Sequence, residues 1–161
     1  MIRRLTPEDA EELAALHVAN REAASPHWPD LPDIFFTRDG QRARVVSADH
    51  LYGIVDVGSL AGTIELSNVV RGPFQSGSVG YWVDEARQGR GLATDALSAL
   101  VELAFSTFGL HRLEAATLTG NGASQRVLEK NRFTFIGVAP RYLHIAGAWR
   151  DHVLYQRTIE D

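Results

Sequence analysis

The stretch Gly80-Tyr81-Trp82-Val83-Asp84-Glu85-Ala86-Arg87-Gln88-Gly89-Arg90-Gly91-Leu92-Ala93-Thr94 passes the chain from one kind of structure to another. Ser78 to Val83 is rich in aromatic and β-branched residues and predicts a strand. Asp84 and Glu85 break that run, and apolar residues resume at Ala93, Ala96, Leu97, Leu100, Ala104 and Phe108, the spacing of one helix face. Between the two, Gly89 and Gly91 allow a tight turn and close approach of a ligand to the backbone. Free N–H groups of the loop and first helical turn, together with the helix dipole, favour an anion there. Arg87 and Arg90 add positive charge, against a net charge of −4 for the whole chain. A phosphate ester suits such a loop. Two glycines that merely end a strand and let a helix pack closely on a sheet are the plainer reading.

Working outward, Gly109 suits the C′ position of the helix and Arg112 to Leu118 reads as a further strand, so the middle of the chain is a βαβ crossover. Upstream, Ile2 to Leu5 is a short strand. Thr6 then serves as N-cap and Pro7 as first helical residue for a helix whose face is Ala10, Leu13, Ala14 and Leu16. Pro26, Pro29 and Pro32 cut the segment Ala24 to Phe36, which holds His27, Trp28, Phe35 and Phe36, into an irregular piece that reads either as a loop over the core or as a substrate lid. Thr37 caps a helix to about His50, and Leu51 to Val57 and Leu60 to Val70 form a hairpin around Gly58-Ser59. Asn121 caps a short helix through Lys130, after which Phe133 to Val138 and Trp149 to Arg157 close the sheet. The expected fold is one mixed α/β domain over residues 1–161, with a mostly antiparallel central sheet and one parallel crossover at the glycine loop.

A dinucleotide site is a rival for that loop. Gly89, Gly91 and Thr94 have the spacing of a Gly-x-Gly-x-x-Gly fingerprint without its last glycine, and Glu114 lies near the expected distance for a ribose-binding acid. Hairpin-connected strands upstream of Gly80 weaken it, because they do not begin a doubly wound sheet.

Gln88-Gly89-Arg90-Gly91-Leu92-Ala93, between an aromatic-rich strand and a long helix, resembles the acyl-coenzyme A pyrophosphate loop of the GNAT superfamily of N-acetyltransferases. Asn121 to Phe133 resembles the second signature of that superfamily, with Arg132 where a glycine commonly stands. Gly147-Ala148-Trp149-Arg150-Asp151-His152-Val153-Leu154-Tyr155 is similar to the end of the branch that acetylates the amino termini of ribosomal proteins. The resemblance spans residues 80 to 155 and only the general layout of the first 75. It implies a GNAT fold and acetyl-CoA as cosubstrate. Backbone groups of Tyr81, Trp82 and Val83 would hold the pantetheine arm and thioester carbonyl; Gln88, Gly89, Arg90, Gly91, Leu92, Ala93 and Thr94 would hold the pyrophosphate, with Asn121 and Ser124 also at the cofactor. Ser124 would protonate the leaving thiolate, with Tyr155 and Tyr142 as alternative hydroxyls. A capping serine beside Asn121 is the plainer role for Ser124.

The acceptor must be a neutral amine. A peptide α-amine has a pKa of about 7.7 to 8.0 and needs little help, whereas a lysine at about 10.4 needs a strong base. Glu65, the one carboxylate within Leu60 to Val70, is the candidate base, acting directly or through water; a solvent-facing glutamate is its plainer role. His144 and His152 are weaker candidates. The implied acceptor is a protein amino terminus, with a polyamine or aminoglycoside as the small-molecule alternative and an inactive coenzyme A-binding regulatory module as the alternative of a different class. The oligomeric expectation is a monomer or homodimer.

Composition narrows the field. With no cysteine there is no disulfide, thiolate nucleophile or zinc-thiolate site, and the six histidines show no His-Glu-x-x-His spacing, so no metal is expected. Gly-x-Ser-x-Gly and Gly-x-x-x-x-Gly-Lys motifs are absent, which argues against a hydrolase triad and a nucleotide triphosphatase. The acidic balance argues against a nucleic-acid partner. No apolar run approaches the ~20 residues of a membrane span, and Met1-Ile2-Arg3-Arg4 leads into no signal-peptide core. The expectation is a cytoplasmic protein with no membrane partner.

Overall fold

Alternation along the second strand explains the layering. The computed structural model describes residues 1–160. Strand β1 is Ile2–Arg4, and a 3₁₀ turn at Pro7–Asp9 leads into α1, Ala10–Ala24. Further 3₁₀ turns at Ser25–His27 and Asp33–Phe36 precede α2, Arg38–Ser47, and the hairpin β2, Leu51–Asp56, and β3, Ser59–Val70. Leu51 packs with Leu13 of α1 and Val45 of α2, while Tyr52 and Ile54 join a separate cluster. Successive strand residues face opposite sides, so α1 and α2 cover one face of the sheet. The other face carries α3, Leu92–Glu102, whose Leu97 and Leu100 are fully buried against Ile64, and α4, Gly122–Lys130, through Leu128. Each such buried leucine contributes roughly 1.5 to 3 kcal/mol.

The other strands are β4, Ser76–Val83, β5, Arg112–Leu118, β6, Thr134–Ile145, and β7, Ala148–Thr158. The sheet order is β1-β2-β3-β4-β5-β7-β6. Its pairs are antiparallel except β4 with β5, which are joined through α3 by the crossover expected from the glycine loop. A parallel pair flanked by antiparallel neighbours is not a doubly wound sheet, and Glu114 is bonded to Arg112 at 2.9 Å. Both features remove the context the dinucleotide reading needs.

Local chemistry explains the boundaries. The Asp9 carboxylate accepts from Arg3 at 2.6 Å and, more weakly in its effect, from the Thr6 backbone N–H at 2.8 Å, and these hold its pKa down to about 2. Thr37 caps α2 by accepting from the Gly40 N–H, but this helix stops at Ser47, short of His50, because Ala48 turns extended. Strand β6 runs past the expected Val138 to Ile145. Pro140 and the left-handed Arg141 interrupt the sequence pattern there, and a shift of register between Ala139 and Leu143 absorbs them while β7 continues alongside. Arg132 has φ 60°, with the Phe133 and Arg132 N–H groups donating to the Leu128 and Glu129 carbonyls. That left-handed helix end explains why a glycine suits the position. None of the described helices is long and apolar enough to cross a membrane.

Candidate active site

Strands β4 and β5 pair only at Ser76, Gly77 and Ser78, opposite Arg112, Leu113 and Glu114. Beyond that point they diverge, although β4 runs on to Val83 and β5 to Leu118. On its other side β4 stays paired with β3 to Val83 opposite Gly62. Alternate residues of Val79–Val83 therefore turn their N–H and C=O groups toward a gap inside the sheet. A cleft of about 710 Å³ occupies this gap. One end is lined by the glycine loop and α4, the other by Asn20, Ala24, His27 and Trp28 with Leu143 and His152 from the β6–β7 hairpin. Because α4 and α1 lie on opposite faces, the cleft passes through the sheet.

The loop end is built for an anion. Gly89 and Gly91 are left-handed, with φ of 75° and 82°, and a Cβ on either would meet nothing within 4 Å. Asp95 makes the first helical return, to the Gly91 carbonyl at 3.0 Å, so the N–H groups of Leu92, Ala93 and Thr94 lie ahead of the ladder. The Gln88 side chain donates to the Val83 carbonyl at 3.1 Å and ties the loop to β4. Asn131 donates to the Thr94 carbonyl at 3.1 Å and to that of Val127, fixing the start of α3 against α4. The Arg90 guanidinium is held by Asp56 at 2.7 and 3.2 Å and does not line the cleft. Cations that do line it are Arg87, Arg126 and Lys130, the last two one turn apart on α4. Sequence reading passed over that pair, although their i,i+4 spacing behind the Asn121 cap places them on one helix face.

At mid-cleft, Asn121 accepts from the Ser124 N–H at 3.1 Å, and Ser124 Oγ lies 2.9 Å from Tyr81 Oη. Burial pushes the Tyr81 pKa up to about 12, so its hydroxyl is retained at neutral pH. The Thr117 hydroxyl on the opposite, β5 wall is buried without a hydrogen-bond partner. Two other expected residues lie elsewhere. Tyr155 is buried in the core and donates to Glu129 at 3.3 Å. Glu65 faces α2, paired with Arg44 at 3.2 Å, in a separate depression with Ser47 to His50. Neither lines the cleft.

Beneath Trp82, His17 sits in a cage of rings, 4.6 Å from Trp82, 4.7 Å from Phe35 and 5.3 Å from Trp28. Both its nitrogens are buried without partners. Burial first, then the Arg44 charge, pushes its pKa down to about 3. The folded protein thus refuses a proton that the unfolded chain takes below pH about 6.5, and His17 draws stability away as pH falls from there toward 3. The limiting slope is about 1.4 kcal/mol per pH unit. His17→Leu is expected to raise the melting temperature at both pH values, because it removes two unsatisfied polar atoms, and to raise it more at pH 5 than at pH 8, because only at pH 5 does the unfolded wild type take up the proton that the fold refuses. Equal shifts at the two pH values would contradict a buried neutral imidazole.

A family model for the acetyltransferase (GNAT) domain matches residues 1–134. The chain is 34% identical to a probable N-acetyltransferase, YjcK of Bacillus subtilis (strain 168), over 94% of this chain and 89% of that one. It is 32% identical to the ribosomal protein uS5-alanine N-acetyltransferase of Escherichia coli (strain K12), over 100% of this chain and 88% of that one. The solved structure of Mycobacterium smegmatis RimJ in complex with CoA-disulfide superposes with a TM-score of 0.93 at 28% identity, covering 99% of this chain and 81% of that one. Among the described residues no cluster of three or more His, Cys, Asp or Glu is placed to hold a metal ion.

Proposed function

Since this chain belongs to the acetyltransferase (GNAT) family and is an acetyl-CoA-dependent N-acetyltransferase, we propose that it transfers acetyl directly to a protein amino-terminal α-amine of the ribosomal-protein type. The observation that carries this reading is the parting of β4 from β5, which leaves a strand edge unpaired inside a cleft open to both faces of the sheet. Acetyl-CoA enters from the α3–α4 face. The glycine-loop amides take the pyrophosphate, Arg126 and Lys130 balance its charge, and the free edge of Val79–Val83 pairs with the pantetheine amides. A backbone N–H of that edge on the thioester oxygen stabilises the tetrahedral intermediate, a term of about 2.7 to 4 kcal/mol per donor. The Ser124 hydroxyl gives its proton to the departing thiolate and is backed by Tyr81 Oη at 2.9 Å.

The acceptor enters from the α1 face. Among the described residues Glu85 is the one carboxylate lining the cleft, which suits a single ammonium group better than a polyamine. The relative named for uS5-alanine acetylation supports a peptide with a small amino-terminal residue. Ser124→Ala is expected to leave the acetyl-CoA dissociation constant within twofold of wild type and to lower kcat about tenfold, because Tyr81 and water remain as poorer proton donors. Titration calorimetry with single-turnover transfer to an Ala-initiated peptide separates the two effects. A Ser124→Ala enzyme that keeps full kcat would remove the serine from the chemistry.

A further inference from the structure

At pH 7 most of a peptide α-amine, with its pKa of about 7.7 to 8.0, arrives protonated, so a proton acceptor on the α1 face of the cleft raises the reactive fraction, and Glu65 does not reach the cleft lining. We propose that His152 is that base, a reading that rests on the transfer reaction proposed above. His152 lines the cleft, is 3% exposed, and lies opposite Leu118, the last residue of β5, where the gap between β4 and β5 is open. Its face follows from alternation on β7. Tyr155 is hydrogen-bonded to Glu129 of α4 and Val153 belongs to the α3–α4 core, so His152 points to the opposite face, where the acceptor enters.

The hydrogen bond to Nδ1 fixes the tautomer. Nδ1 lies 2.9 Å from the Arg150 carbonyl, which can only accept, so Nδ1 carries the proton and Nε2 carries the lone pair. Around the ring, Tyr142 of β6 is 5.8 Å away between ring centres, and the Asp151 carboxylate accepts from the Arg141 N–H instead of facing the imidazole. Other cleft-lining groups able to accept a proton, His27 and Glu85, are both exposed, and among the described residues neither side chain has a hydrogen-bond partner that holds it in one orientation.

In the reaction, Nε2 takes one proton from the incoming ammonium and passes it to solvent. The freed nitrogen pair forms the C–N bond, the tetrahedral intermediate collapses with cleavage of C–S, and Ser124 protonates the thiolate. The second proton lost by the nitrogen leaves through solvent and replaces the one Ser124 gave. One amide, one thiol and one net proton result.

His152→Asn tests this. An asparagine amide can keep the donor to the Arg150 carbonyl and has no basic nitrogen, so the fold is retained. Expected at pH 7 is a kcat about six- to tenfold below wild type on an Ala-initiated peptide, the inverse of the neutral fraction of an amine with a pKa of about 7.7 to 8.0, with the acetyl-CoA dissociation constant unchanged, partial rescue by added imidazole, and a deficit that closes above pH 8 as the peptide amine deprotonates unaided. Long-range ¹⁵N–¹H NMR of the wild-type imidazole is expected to show Nδ1 protonated, and this readout needs no acceptor. A kcat within threefold of wild type, an equal loss in His27→Gln or Glu85→Gln, or an Nε2–H tautomer would overturn the assignment. Failure of the underlying reaction looks different: the wild type would then bind no acetyl-CoA or transfer to no amine.

Discussion

Reversing both cations of α4, Arg126→Glu with Lys130→Glu, is expected to weaken acetyl-CoA binding about a hundredfold with little change in melting temperature. Both side chains line the loop end of the cleft, both are exposed, and among the described residues no ion pair engages either one. An exposed ion pair is worth only about 0.2 to 1 kcal/mol. Reversal removes an attraction and installs a repulsion at two positions beside the proposed pyrophosphate site, which brings the sum to about 2.7 kcal/mol, or two decades in affinity. The gap should narrow in high salt, because exposed charges are screened. Arg90→Ala is the control: its guanidinium is already bound to Asp56, so affinity should move less than threefold. A large loss in Arg90→Ala with none in the double variant would exchange the roles assigned to the two sites.

Gly62→Ala is expected to destabilise the fold by about 3 kcal/mol and to damage cofactor binding with it. Gly62 pairs with Val83 at the end of the β3–β4 ladder, and a Cβ there would lie 2.1 Å from the Trp82 carbonyl oxygen and 2.9 Å from Val83 Cα. Those atoms are backbone, so no rotamer change relieves the contact and β4 itself must move. For a domain of this size the cost corresponds to a fall of roughly 6 to 12 °C in melting temperature. The shift displaces the strand edge that forms the cleft wall, so the remaining folded protein should bind acetyl-CoA more weakly. A Gly62→Ala protein with wild-type melting would mean that β3 and β4 are not held as closely as described.

Sequence reached the fold because its decisive elements are local. The aromatic strand before Gly89, the apolar face of α3 and the Asn121 cap each speak through period or a single side chain, and each is found where its residues place it. The glycine loop was equally legible, since left-handed turns at Gly89 and Gly91 are what those residues permit. Partners distant in sequence were not legible. Arg90 looks free beside two glycines, and only the approach of Asp56, thirty-four residues earlier, shows it to be occupied. Glu65 and Tyr155 have suitable chemistry, yet strand alternation and the position of α4 direct both away from the cleft. His17 reads as one polar residue on a helix face, and its confinement arises from rings contributed by Trp28, Phe35 and Trp82. The divergence of β4 from β5 has no residue signature at all, since it is a property of two strands and the loop between them.

A competition read by mass spectrometry tests the proposed transfer and its acceptor most directly. Purified protein and acetyl-CoA are mixed with equal concentrations of spermidine and a peptide that has an amino-terminal alanine and an internal lysine. The peptide is expected to be acetylated, located by fragmentation at the α-amine, with the lysine and spermidine left largely unmodified. Spermidine acetylated ahead of the peptide would contradict the proposed acceptor, and no acetyl transfer to any amine, despite bound acetyl-CoA, would contradict the catalytic reading of the cleft.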